Sequence, residues 1–307
     1  MHKSVLLQEC LENLNLKDSS TAVDCTLGYG GHSSEILKRI PNGYLYSFDQ
    51  DSEALESSEK RLSQIATNYE LIYSNFSHIK EELSKRNITK VNSILFDLGV
   101  SSPQLDEDYR GFSFHNDAKL DMRMDLNSNF SAYDVVNTYS YNELCRIFNL
   151  YGEEKYASSI ARNIEKRRQE KPIETTLELV EIIKDSVPMK YKLEKHPARK
   201  VFQAIRIEVN HELEVFEKAL YQALELLEVG GRICVITFHS LEDRLCKQIF
   251  KEVSDIDKTL KKMPMIPEEY LPKFKVVATI EPTEEEITEN NRARSAKLRV
   301  IERVKEG

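Results

Sequence analysis

The chain has 307 residues, 40% hydrophobic and 31% charged, with a net charge of −8; that length admits one large α/β unit or two domains, and two are expected. No apolar run reaches the roughly 18 residues of a membrane span, the start lacks the apolar stretch of a signal peptide, and the acidic balance argues against a globally basic nucleic-acid binder. The protein is therefore expected to be cytoplasmic and free of membrane, with its five scattered cysteines read as core thiols, since no C-x-x-C pair suggests zinc or redox work.

The first strand pattern, from Thr21 to Asp24, runs into Gly28-Tyr29-Gly30-Gly31-His32, a glycine turn that opens a helix over Ser33 to Arg39. Next comes a strand over Gly43 to Asp49. It ends on an acid about 20 residues past the turn, the distance at which a carboxylate can reach a ribose diol in a βαβ unit. The pairing predicts an adenosine-type cofactor. Strands over Glu70 to Asn75 and Val91 to Asp97 alternate with helices over Ser52 to Ala66 and Ile79 to Arg86, the rhythm of a parallel sheet covered by helices.

From about Tyr109 to Arg206 the pattern changes to helices and loops: Ala132 to Val136, Tyr141 to Phe148, Glu153 to Lys171, Thr176 to Ser186 and Ala198 to Val209. Strand patterning returns at Gly231 to Phe238, after a helix over Glu212 to Leu227, and strands over Lys273 to Ile280 and Ala296 to Val304 would finish the sheet. The expected architecture is α/β, a nucleotide-binding domain over residues 1–108 and 207–307 interrupted by a mostly helical insertion over 109–206. Charge is uneven along it. Between Lys155 and Arg206 stand thirteen Lys/Arg against seven Asp/Glu, and a second basic cluster (Arg292, Arg294, Lys297, Arg299, Arg303, Lys305) lies near the C-terminus. Each reads as a solvated helix face or, taken together, as a phosphate-binding surface.

The turn itself separates cofactor classes only partly. A dinucleotide fold asks for G-x-G-x-x-G, and here serine (Ser33) stands at the third glycine; a methyltransferase turn reads D-x-G-x-G-x-G, and here Asp24 and the last two glycines are present with Thr26 at the first. A further acid, Asp97, closes the fourth strand and is followed by Leu98-Gly99-Val100-Ser101-Ser102-Pro103-Gln104. Ligands of open α/β sheets sit outside such strand ends.

At these residues the chain resembles the MraW/RsmH methyltransferases. The resemblance extends through His2 to Leu7, Arg110 to Phe114, Leu120 to Asp125, Tyr151 to Glu154, His196 to Arg206, Phe238 to Arg244 and Arg292 to Ser295. It implies a Rossmann-like S-adenosylmethionine-dependent sheet that methylates the N4 amino group of a cytosine in 16S rRNA of the small ribosomal subunit, leaving S-adenosylhomocysteine. Carried over to this chain, it implies cofactor contacts at Gly30, Gly31, His32, Asp49, Phe76, Asp97 and Gln104. Phe76 either packs on adenine or is a core aromatic, and His32 either meets the ligand or serves the helix start.

A cytosine amine is a poor nucleophile, because its lone pair is delocalised into the ring, so hydrogen-bond acceptors and an in-line approach are needed. Asp97 or a main-chain carbonyl near Ser101 to Pro103 is expected to supply them, with Ser101 and Ser102 in support; His239 belongs either to the acceptor pocket or to the scaffold. RNA recognition is expected on the insertion, with Tyr109, Arg110, Phe112 and Phe114 stacking on a splayed base and Arg199 and Lys200 near phosphates; the alternative is that Phe112 and Phe114 are core residues of a short strand. No metal is expected, the histidines being dispersed without ligand spacing. Two rivals stand beside this reading: an NAD-dependent oxidoreductase, and a non-catalytic ribosome-assembly factor with a degenerate cofactor pocket.

Overall fold

Seven strands form one sheet: Thr21–Asp24 (β1), Tyr44–Asp49 (β2), Tyr69–Tyr73 (β3), Val91–Asp97 (β4), Leu227–Thr237 (β5), Phe274–Ile280 (β6) and Lys297–Arg303 (β7), in the order β3-β2-β1-β4-β5-β7-β6. The computed structural model describes residues 4–100, 108–194, 196–256, 260 and 267–306. β1 to β5 are parallel, whereas β7 runs antiparallel to both of its neighbours, β5 and β6. Strand order reverses between β1 and β4, which creates a crevice at their carboxyl ends. The reversed β7 distinguishes this sheet from the six-stranded 3-2-1-4-5-6 order of dinucleotide-binding folds, and the oxidoreductase reading loses its architectural support.

Alternation along the strands loads both faces. On one, Ala22, Leu45, Leu95, Cys234 and Leu298 pack with Cys10 and Leu11 of helix Leu7–Asn13 (α1) and with Ile36 and Leu37 of helix Gly31–Arg39 (α2). On the other, Val23, Phe48, Ile94, Phe96 and Val235 meet apolar residues of three helices, Ile79–Lys85, Glu212–Leu226 and Ser240–Ser254. Four of the five cysteines, Cys10, Cys25, Cys234 and Cys246, are buried free thiols, and burial raises the pKa of each. Helix Ser240–Ser254 carries an apolar stripe that the sequence reading passed over: Leu241, Cys246, Ile249 and Phe250 are buried. Among the described residues no helix is long and apolar enough to cross a membrane.

The chain divides into two compact units, Met1–Gly99 with Leu213–Gly307, and Val100–Glu212. The insertion is thus wider than the expected 109–206 at both ends. Val100 packs on the helical unit's own core, and Asn210 ties helix Ala198–Asn210 to the preceding loop, accepting from the Met124 amide at 2.8 Å and donating to the Met122 carbonyl at 2.8 Å. That unit contains no strand among the described residues, only a single bridge between Lys119 and Thr175. The short strand considered for Phe112 and Phe114 is therefore not formed.

Candidate active site

Register explains why two acids overhang the glycine turn. Asp24, the last residue of β1, stands opposite Ser47 of β2 and Leu95 of β4; Asp49 and Asp97 each lie two residues beyond those partners, past the end of β1. The turn fills the space between them. Gly28 and Gly30 adopt left-handed backbone, φ 49° and 71°, which glycine reaches without steric cost, and Gly30 caps the start of α2. Gly31 is close-packed: a methyl group in place of its hydrogen would collide with Ser4 Oγ.

Each departure from the consensus turns has a physical reason. At the first glycine position, Thr26 Oγ1 accepts from the Asp97 amide at 2.6 Å and donates to Asp24 Oδ1 at 3.4 Å, joining the ends of β4 and β1. At the third, Ser33 Oγ donates to Asp24 Oδ2 at 2.7 Å and lies 2.9 Å from Ser47 Oγ. Asp24 is fully buried; burial raises its pKa, opposed by Ser33, His32 and the Thr26 amide. It anchors the turn from beneath. The supporting hydroxyls of Thr26, Ser33, Ser47 and Ser58, the last donating to the Gly28 carbonyl at 2.9 Å, escaped sequence reading. The available signal was the short polar side chain at a strand end or first helical turn, where it competes for backbone groups.

Asp49 accepts from the Gly28 amide through Oδ2 at 2.8 Å and from the Asp51 amide through Oδ1 at 2.9 Å. Part of its surface faces solvent, yet enough protein surrounds the carboxyl that burial pushes its pKa up to about 7, against those two amides. Each carboxylate oxygen has a further acceptor position, so a pair of ribose hydroxyls can be held here. Phe76 begins a 3-10 turn after β3, held by Asn75, whose side chain accepts from the Ser77 amide. Its ring meets Phe96 edge-on, centroids 5.7 Å apart. It is thus a partly buried core aromatic.

Asp97 and His32 face each other across the turn. His32 Nδ1 lies 3.4 Å from Asp97 Oδ2, and the imidazole is 5% exposed. Burial opposes its charge, but Asp97 and then Asp24 outweigh that and raise its pKa. Among the described residues, Asp97 Oδ1 and His32 Nε2 are buried without a hydrogen-bond partner. Such atoms cost roughly 1–3 kcal/mol each when left alone. Two of them beside left-handed glycines, with Asp49 opposite, fit a ligand that carries a ribose and a charged amino-acid end.

His239 follows β5. It caps helix Ser240–Ser254, its Nδ1 accepting from the Glu242 amide at 3.4 Å while the Glu242 carboxylate accepts from the Phe238 and His239 amides. Its Nε2 stands 3.0 Å from Glu242 Oε1. Ser101, Ser102 and Gln104 lie outside the described residues.

The helical unit corrects part of the expected RNA surface. Arg110 is 1% exposed and donates to the carbonyls of Arg123 and Met124, with Phe112 buried in the same core, so neither offers a face to a base. Phe114 is half-buried between His196, stacked at 4.5 Å, and the edge of Phe202. Tyr109 is 57% exposed and Arg199 is also exposed, while Lys200 is half-buried and donates to the Glu153 carbonyl at 2.7 Å. Several charges counted in the basic clusters are spoken for internally. Arg206 forms a two-pronged pair with Glu212, Arg299 pairs with Asp243, and Arg303 donates to the Leu227 carbonyl.

A profile of the MraW methylase family matches residues 1–304. The chain belongs to that family. Its MraW relatives include the ribosomal RNA small subunit methyltransferase H of Exiguobacterium sibiricum, 55% identical over 308 residues, spanning 99% of both chains. Among solved structures, an rRNA methylase from Streptococcus thermophilus is 14% identical with a TM-score of 0.44, covering 99% of both chains. As an MraW methylase the chain is an S-adenosylmethionine-dependent methyltransferase built on a Rossmann-like sheet.

Proposed function

We propose that this chain transfers a methyl group from S-adenosylmethionine to the N4 amino group of a cytosine in 16S rRNA, acting in the cytoplasm on the small ribosomal subunit rather than on naked RNA. The observation that carries the reading is the overhang of Asp49 and Asp97 on either side of the Gly28 to Gly31 turn, in a chain 55% identical to a small-subunit rRNA methyltransferase. In this reading Asp49 accepts from the ribose hydroxyls and Phe76 borders the adenine. Gly30, Gly31 and His32 adjoin the methionine end, where the start of α2 favours a carboxylate. The bound cofactor supplies an electrophilic methyl on sulfur.

This chain's own part is positioning and proton acceptance. The Asp97 carboxylate takes a hydrogen bond from the target amine, steering its lone pair toward the methyl carbon; holding reacting atoms about 3–3.5 Å apart supplies much of the acceleration. Ser101 and Ser102 are assigned to the amine acceptor in support of Asp97, and Gln104 to the cofactor. Exposed Arg199, with basic side chains of helix Ala157–Glu170, is assigned to rRNA phosphates. The test is labelled methyl transfer to small subunits that lack the modification, with naked 16S rRNA and Asp97→Ala as controls, and mass spectrometry to locate the methyl group. Label on cytosine N4 of subunits only, and none with Asp97→Ala, is expected. Equal labelling by both proteins would remove Asp97 from the chemistry, and no labelling by either would leave an assembly factor.

A further inference from the structure

The helical unit carries a small apolar knob that its own core leaves bare. Helix Met189–Glu194 is anchored through Tyr191, whose hydroxyl donates to Glu154 Oε2 at 2.7 Å and whose ring meets that of Tyr156 edge-on, centroids 4.9 Å apart. At about 100° per residue, a helix that turns Tyr191 inward must turn the residues two before and two after it outward. Those are Met189 and Leu193. They are 67% and 81% exposed, the most exposed large apolar side chains among the described residues, and at i and i+4 they lie side by side. Cations frame them. Between Lys184 and Lys195 stand four lysines against Asp185 and Glu194; Lys184 and Lys190 are exposed, and among the described residues neither Lys190 nor Lys192 forms an ion pair. Lys155 Nζ adds a further charge, 5.1 Å from the centroid of the Tyr156 ring that Tyr191 meets.

We propose that Met189 and Leu193 form an apolar wedge that lodges against unstacked bases of the rRNA, while Lys190 and Lys192 hold the phosphates on either side. The inference rests on rRNA being the substrate, as proposed above. One exposed apolar side chain is ordinary, but two side by side in a ring of cations mark a contact surface. Charge decides what covers them. A phosphate chain with unstacked bases offers anions to the lysines and flat apolar faces between them, whereas an apolar protein surface would leave Lys190 and Lys192 desolvated without a partner. Met and Leu are among the side chains that proteins insert between base steps. A cytosine whose amine is to be methylated has to leave its stack, which opens such a step, and RNA bases are open to this contact in loops and unpaired strands rather than within a duplex.

The experiment measures binding to small subunits that lack the modification, comparing the parent with Met189→Ser/Leu193→Ser and with Lys190→Gln/Lys192→Gln over a range of salt. The serine pair should weaken binding by about a hundredfold, the burial of two such side chains at about tenfold each, with the salt slope unchanged because no charge is lost. The glutamine pair should lower that slope by about one for each lysine. The unfolding midpoint of the serine pair should match the parent's, because both side chains already stand in water, and S-adenosylhomocysteine should bind it as it binds the parent. Photocrosslinking from a benzophenone side chain placed at position 193 then identifies the occupant. A crosslink to 16S rRNA is expected. A crosslink to a ribosomal protein or to nothing, or a serine pair that binds subunits like the parent, overturns the proposal. Failure of the parent itself to bind or methylate small subunits would instead bring down the rRNA reading, so the two failures are told apart.

Discussion

The two compact units treat buried polar groups differently. In the helical unit Glu208 accepts from Tyr139 at 2.8 Å and Arg146 at 2.7 Å, and Glu154 accepts from Tyr191 and from the Tyr156 amide. In the sheet unit Asp24 is equally satisfied, yet among the described residues Asp97, His32 and His239 each keep a buried polar atom without a hydrogen-bond partner. An unmet buried group is a standing cost, tolerated where a ligand supplies the missing partner. The unmet atoms of Asp97 and His32 flank the glycine turn, whereas that of His239 lies at the cap of helix Ser240–Ser254. In the helical unit His196 Nδ1 is likewise buried without a hydrogen-bond partner among the described residues.

The sharpest way to break this contrast is at Asp97. Asp97→Asn should reduce the single-turnover rate of methyl transfer by about 10²- to 10⁴-fold, the range of a lost general acid–base group, whereas removing the satisfied Glu208 carboxylate should cost stability and leave that rate alone. Next in size, Asp49→Ala should weaken S-adenosylhomocysteine binding by about 2–4 kcal/mol, for two hydrogen bonds to a charged group, read by calorimetry. Retention of full affinity would remove Asp49 from the ribose site.

The same residue predicts a pH effect. Its pKa is raised in the fold from 3.8 to about 7, so between those values the folded chain holds a proton that the unfolded chain has lost, and stability from this group declines as pH rises through the window. Ribose hydroxyls bind the ionised form. Cofactor affinity should therefore fall by up to about tenfold for each pH unit below 7, with proton release on binding, detectable by calorimetry in buffers of different ionisation heat.

Smaller effects sharpen the role of the helical unit. Arg199→Ala should lower the salt slope of subunit binding by about one and leave kcat unchanged, as a phosphate contact would. Thr175 caps helix Thr176–Asp185 in a reciprocal box with Glu178, and Thr175→Ala should cost about 1 kcal/mol of stability with no change in cofactor affinity.

How much of this was legible depended on range. The strands, the turn and the strand-end acids follow from period-2 patterning and local glycine chemistry, which act within a few residues. Asp49 and Asp97 stood out as acids closing apolar strands. Thr26 and Ser33 looked like flaws in a motif, because the partners that give them meaning, Asp97 and Ser47, lie on other strands. Arg110 read as an RNA contact since its motif is aromatic and basic, and nothing local shows that its guanidinium closes on the carbonyls of Arg123 and Met124.

By itself the sequence determined the α/β alternation, the helical interruption and the cofactor turn, because each rests on periodicity or on conformations that only certain residues adopt. Tertiary structure alone decided the reversed β7, the inward turn of Arg110, Arg206 and Arg299, and the inequality of the two Asp97 oxygens. These depend on register and on contacts between distant segments, where one residue of slip would exchange the faces of a strand.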